Sequence, residues 1–118
     1  MGPVNWIAVI LAAAVAAGIA WPWYALFRRA VPPAWRLLVL FFPASLIGHN
    51  FARVGVDALA VKPWLYWMMS GGFALSIIIP AQVVADGRHK VPCRETLIDA
   101  GYWLVAFLGM GTVFWVLK

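Results

Sequence analysis

Charge is what this sequence lacks most. Of its 118 residues, 11% are Asp, Glu, Lys or Arg and 65% are hydrophobic, whereas an ordinary soluble domain is about 25% charged. A small water-soluble domain has much surface for its volume and needs polar groups to cover it. Too few are present, so lipid is the expected solvent. Acid is scarcer than base, with four Asp and Glu against nine Lys and Arg. The basic surplus does not mark a nucleic-acid binder. It sits in short clusters between apolar runs and forms no stripe or basic helix. Cysteine is nearly absent: Cys93 stands alone, which excludes an intrachain disulfide and leaves the redox compartment unread. No His/Cys/carboxylate group has metal-ligand spacing, so neither metal nor cofactor is expected.

Four long apolar runs fill most of the chain. They cover about residues 4–27, 35–55, 63–85 and 96–117. A helix needs roughly 20 apolar residues to cross about 30 Å of hydrocarbon. The second run is short if it stops at His49 and adequate if it continues to Arg53. Lipid offers backbone groups no partners, which favours helices. Barrel strands would alternate apolar and polar residues, and these runs do not. The connections are short. "RRAVPP" (28–33), "DALAVKP" (57–63) and "DGRHKVPCRE" (86–95) carry proline, charge and an Asp-Gly breaker. The first run lacks a basic leader and is too long for a signal peptide's apolar core of about 7–15 residues, so a retained span is expected.

Lys and Arg set the expected orientation. Arg28, Arg29, Arg36, Arg88, Lys90 and Arg94 flank the first and third loops. Arg53, Lys62 and Lys118 lie at the other side. The positive-inside rule then puts loops one and three in the cytoplasm and both termini outside. Trp6, Trp64, Trp67 and Trp115 fall near the outer ends of the spans, and Trp21, Trp23 and Trp35 near the inner ends. Those are the depths that indole favours. Trp103 lies deeper, where packing between helices is expected.

One stretch breaks the apolar pattern: "IGHNFARVGVD" (47–57). At 100° per residue, Asn50, Arg53 and Asp57 fall within about 60° of one another if the helix continues. Arg53 and Asp57 have the i,i+4 spacing of an ion pair. Two readings follow. Either His49, Asn50, Arg53 and Asp57 mark the outer end of the second helix, with Arg53 reaching the headgroups, or they line an outward-facing polar pocket, with Asn5 or Lys62 as neighbours. Asp99 is a fifth candidate. It lies about one turn into the last span from the inner side, so it is expected to meet Arg36 or another inner basic residue, or to favour its own helix N-terminus.

Small residues recur every fourth position at Ala8, Ala12, Ala16 and Ala20, at Ser70/Ala74 and at Gly72/Ser76. Such seams let helices approach closely. Pro22, Pro43 and Pro80 are candidate kinks. Catalysis has little footing. His49 and His89 fall at opposite sides, Cys93 beside Arg94 has no evident base, and "GMG" (109–111) lacks the context of a phosphate-binding loop.

"NWIAVILAAAVAAGIAWPWY" (5–24), "GHNFAR" (48–53), "DAGYW" (99–103) and "MG" (110–111) together resemble the bacterial domain-of-unknown-function 1761 family. The resemblance rests on an Asn-Trp before an Ala-rich span, the Trp-Tyr closing it, the Gly-His, and the Asp-Ala-Gly-Tyr opening the last span. It runs over nearly the whole chain. The proline of "WPWY" departs from the pattern. The resemblance implies a small multi-span membrane protein and supplies no activity or catalytic residues.

The expectation is an all-α, single-domain chain (1–118): an integral membrane bundle of four transmembrane helices with short loops, multi-pass in a bacterial inner membrane, and not an enzyme. Besides the lipid bilayer, the partners expected are further copies or a larger membrane protein, and not nucleic acid. Two functions fit. One is a small transporter or channel for a small solute, oligomeric because four helices leave little room for a pathway. Its size resembles the small multidrug resistance exporters, but those carry an essential Glu in the first span, where this chain has no acid. The alternative is an accessory or structural subunit packed against a larger membrane protein. With both termini outside, a membrane-impermeant maleimide labels Cys93 only after cells are opened; labelling in intact cells would reverse the orientation.

Overall fold

A computed structural model of the protein describes residues 4–117. Lys118, counted above at the outer side, lies outside them. Four helices are long and apolar enough to span a membrane: α1 (Trp6–Leu26), α2 (Ala34–Val54), α4 (Leu65–Arg88) and α5 (Cys93–Val116). A short helix, α3 (Val56–Val61), sits between α2 and α4. No strand occurs among the described residues. The chain is an all-α, four-helix, multi-pass membrane protein.

The proline positions mark where the regular helix gives way. Pro43 offers no N–H to the carbonyl of Val39, and its ring crowds that carbonyl. The backbone tightens there into a 3₁₀ turn at Leu38–Leu40. Pro80 leaves Ser76 without its usual partner, and α4 widens into a π turn at Ala74–Ile78. Pro22 is accommodated within an uninterrupted α1.

The termini of the bundle are set by local chemistry. Asn5 caps α1: its Oδ1 accepts from the Ala8 amide at 3.1 Å, and its Nδ2 donates to the Leu117 carbonyl at 3.0 Å. The start of α1 and the end of α5 therefore lie at the same end of the bundle. At the opposite end, α1 and α4 close in the same way. Arg28 and Lys90 each take a left-handed conformation with φ of 58°. The next amides, Arg29 and Val91, reach back to Tyr24 and Asp86 carbonyls at 2.8 and 2.9 Å. This is a Schellman-type stop with a basic residue where glycine is usual. The expected break at Asp86-Gly87 is corrected: α4 runs through both residues, and the chain turns at Lys90.

Core packing follows the small residues. Ala8, Ala12, Ala16 and Ala20 are fully buried. The seam thus lies within the chain's own fold, and the Tyr102 hydroxyl of α5 reaches the Ala16 carbonyl at 2.8 Å. Gly111 places α5 against α4, where an added Cβ would lie 2.6 Å from the Tyr66 carbonyl oxygen. Gly48 places α2 near α1, where a Cβ would meet Val9 at 2.7 Å. Phe51 bridges α2 to α4 and α5 through Tyr66 and Phe114, with ring centroids 4.9 and 5.2 Å apart. The outward faces carry large apolar residues such as Ile7, Leu38, Phe42 and Val84, as a lipid-facing surface requires. Trp6, Trp21, Trp35, Trp64 and Trp115 are exposed. Trp67 and Trp23 are turned inward instead, because each indole N–H bonds α5: Trp67 to Thr112 Oγ1 at 2.8 Å and Trp23 to the Ile98 carbonyl at 2.9 Å.

Ala16→Leu inserts three carbons where α1 has no free volume, and overpacking costs about 1–3 kcal/mol. Thermal unfolding in detergent is expected to shift down for Ala16→Leu and to hold for Ile7→Leu on the lipid face. An unchanged midpoint for Ala16→Leu would show that the seam is not packed.

Candidate functional site

A network of polar groups joins three spans at the end opposite the start of α1. Trp23 and Tyr24 are consecutive on α1, and they bind consecutive residues of α5. Trp23 takes the Ile98 carbonyl, and the Tyr24 hydroxyl donates to Asp99 Oδ1 at 2.6 Å. From α4, Gln82 Nε2 donates to Asp99 Oδ2 at 3.0 Å and, more weakly, to Asp86 Oδ2 at 3.4 Å. Thr96 Oγ1 donates to Asp86 Oδ2 at 2.8 Å. Gln82 and Asp86 stand one turn apart on α4, and Thr96 and Asp99 one turn apart on α5. Helical periodicity puts each pair on one face, and the α4–α5 contact brings the two faces together.

Asp99 and Asp86 are half-buried and, among the described residues, held by neutral donors alone. Among the described residues the one ion pair is Arg29–Glu95, with Arg29 Nε donating to both carboxylate oxygens at 2.7 and 2.9 Å. Gln82 Oε1 is buried and has no hydrogen-bond partner. The amide orientation is fixed by its neighbours: while the carboxylates accept, Nε2 must face them and the oxygen is left over. An orphaned buried acceptor is costly, so this atom calls for a donor.

The expected partners of Asp99 are corrected. Arg36 lies over its neighbour Trp35, 5.0 Å from the ring centroid, and Arg29 is engaged by Glu95. Asp99 is bound by a tyrosine and a glutamine from two other spans. Sequence reading passed over Tyr24, Gln82, Asp86, Thr96 and Glu95. The usable signal was the pair of one-turn spacings, Gln82/Asp86 and Thr96/Asp99, at the facing ends of successive spans.

His49, Asn50, Arg53 and Asp57 lie toward the other end, and the structure does not join them to Asp99. The continuous stripe is corrected as well. α2 stops at Val54, and Gly55 has φ of +93°, so Asp57 belongs to the first turn of α3 and not to the helix of Arg53. Polar groups on α2 bond their own helix. His49 Nδ1 lies 2.7 Å from the Ser45 carbonyl, and Asn50 Nδ2 donates to the Leu46 carbonyl at 2.8 Å. Arg53, Asp57 and Lys62 are exposed, and no ion pair joins Arg53 to Asp57 among the described residues. Asn5, proposed as a neighbour, is used at the α1 cap. Among the described residues no group of three or more His, Cys, Asp and Glu is placed to hold a metal ion. No family model, curated protein or solved structure matches the chain.

A double-mutant cycle tests the interhelical bond. Tyr24→Phe and Asp99→Ala should couple by about 0.6 kcal/mol, the average for such bonds in a membrane bundle, and by no more than about 1.7 kcal/mol. Arg53→Ala, at the exposed end, should cost roughly 0–1 kcal/mol. Thermal unfolding in detergent measures all of these; additive effects of the first two would mean that the Tyr24–Asp99 bond contributes nothing.

Proposed function

We propose that the chain is a small transport protein whose working site is the Asp86–Gln82–Asp99 network, which binds protons or a small cationic solute. The observation that carries the reading is a pair of carboxylates inside a membrane bundle with no cationic side chain bound to either among the described residues. Ionisable groups at membrane depth are costly and tend to mark solute or proton pathways. Asp99 stands six residues into α5, about 9 Å from its start, where a proton or ammonium group would offset charge that the protein leaves uncompensated. The orphaned Gln82 oxygen supplies an acceptor for the same guest. If the carboxyl groups carry protons, they become donors and the Gln82 amide can turn to accept from them. The network thus has two hydrogen-bonding states.

Four helices leave little room for a pathway within one chain, so the working form is an oligomer of this chain in the bacterial inner membrane. By the positive-inside rule, the basic first and third loops support a cytoplasmic position for the network, with both termini outside. The family resemblance adds no activity to this reading. A specific observation favours the alternative of an accessory subunit. Only 17% of the apolar window of α4 is buried within the chain, against 39% for α5, which leaves α4 free to lie against a larger membrane protein.

Purified protein in liposomes, with a pH-sensitive dye inside, separates the two. Wild type and Arg53→Ala should dissipate an imposed pH gradient roughly tenfold faster than empty vesicles, a barrier difference of about 1.4 kcal/mol, with Asp99→Asn close to empty vesicles. Wild-type vesicles that hold the gradient, both alone and with a small ammonium solute present, would sink the transport reading and leave the accessory one.

A further inference from the structure

Beside the polar network, on the outer side of α1 and α5, lies an open groove of about 690 Å³. That volume is in the range of ligand-holding clefts, roughly 300–1,000 Å³. Its walls are apolar: Trp23 and Phe27 of the α1 end, and Leu97 and Ile98 of α5. The Trp23 N–H is used by the Ile98 carbonyl, so the indole presents only its ring to the groove. Gly101 forms the floor, where an added Cβ would come within 2.6 Å of the Trp23 ring. The glycine is what lets the ring lie against α5.

Two guanidinium groups, Arg29 and Arg94, line the same groove. Arg29 is matched by Glu95. Arg94 is exposed and makes no hydrogen bond or ion pair among the described residues. The groove thus combines an apolar bed at membrane depth with one uncompensated cation, Arg94, at the loop end. We propose that it is a binding site for one anionic glycerophospholipid, with a single phosphodiester on Arg94 and an acyl chain along Trp23, Phe27 and Leu97. The charge complementarity selects the occupant. A zwitterionic lipid brings its own ammonium group to the uncompensated Arg94, and a free anion leaves the apolar walls unfilled. Basic pockets between spans hold anionic headgroups by this chemistry, and a guanidinium suits phosphate through its planar donor fork. The site is separate from the carboxylate network and does not depend on the transport reading.

Native mass spectrometry of the detergent-extracted protein tests it, with phosphatidylglycerol, phosphatidylcholine and inorganic phosphate as probes. Wild type should retain one phosphatidylglycerol per chain, with an affinity roughly tenfold above that for phosphatidylcholine. Arg94→Gln should lower phosphatidylglycerol retention to the phosphatidylcholine level. Leu97→Trp, which fills the groove from an exposed position, should lower retention of both lipids. Arg53→Gln, at the other end, should bind as wild type does. Circular dichroism confirms that each variant is folded. Equal retention of the two lipids by wild type would overturn the proposal, as would undiminished phosphatidylglycerol on Arg94→Gln. Retention of inorganic phosphate in place of lipid would overturn it too, by showing a free-anion site.

Discussion

How closely α1 can lie against α5 decides the rest of the bundle. In lipid, helices gain nothing by hiding apolar surface from water; close contact and interhelical hydrogen bonds hold them together. The Ala8–Ala20 seam and Gly101 and Gly109 of α5 remove the side chains that would hold the backbones apart. The approach lets three hydrogen bonds form, two from Trp23 and Tyr24 to α5 and one returning from Tyr102 to Ala16. These bonds fix register as well as distance. A slide of one turn, about 5.4 Å, would break all three. With α1 and α5 locked, Asp99 has one carboxylate oxygen committed to Tyr24, and its other oxygen faces α4.

The polar side chains bond in two ways, and the end that carries Asn5 and Leu117 uses both, since Asn5 reaches the Leu117 carbonyl and Trp67 reaches Thr112 across spans. Toward that end, His49, Asn50 and Ser70 bond carbonyls one turn back on their own helices. Such bonds satisfy the side chain without specifying a neighbour. At the other end, Tyr24, Gln82, Thr96 and the two aspartates bond across three spans. That network demands one arrangement of the helices. A polar group that bonds its own helix can sit almost anywhere at the interface; one that bonds across spans fixes which helices meet.

This difference explains what could be read from the residues alone. Spans are legible because hydropathy sums over some twenty positions, and errors at the ends, such as α4 running to Arg88, leave the sum unchanged. The Asn50–Arg53–Asp57 stripe failed on one residue. Gly55 takes a left-handed conformation that its identity permits but does not require, and the periodicity argument needed an unbroken helix. The Ala8–Ala20 seam was correctly read as a close-packing face, but a fourfold spacing does not say whether the partner is another helix of the chain or a second copy. Asp99 stands out in the sequence as an acid inside the last span, and it bonds Tyr24 and Gln82 from two other spans. Its partners were not legible, because charge complementarity points to arginine, whereas the binding groups are neutral and lie 75 and 17 residues away.

The remaining question is why a carboxylate so near six basic residues binds none of them. Glu95 and Asp99 stand one turn apart on α5, so they share a face and compete for the same cations. Glu95 lies nearer the loop and has the longer side chain. Arg29 follows immediately on the left-handed stop of α1, where its backbone is held by the Tyr24 carbonyl. Its Nη1 donates to the Phe27 carbonyl, and its Nε reaches both oxygens of Glu95. Those bonds hold the guanidinium at the loop, a turn short of Asp99. Arg36 is drawn aside onto Trp35, and Arg94 lines the groove beside Trp23. None of these side chains could reach Asp99 without giving up solvent and its existing contacts, and desolvating a charge is expensive in a low-dielectric interior. Tyr24 and Gln82 are already there and carry no charge to desolvate. One helical turn of depth therefore separates a carboxylate held as an ion pair from one held by neutral donors.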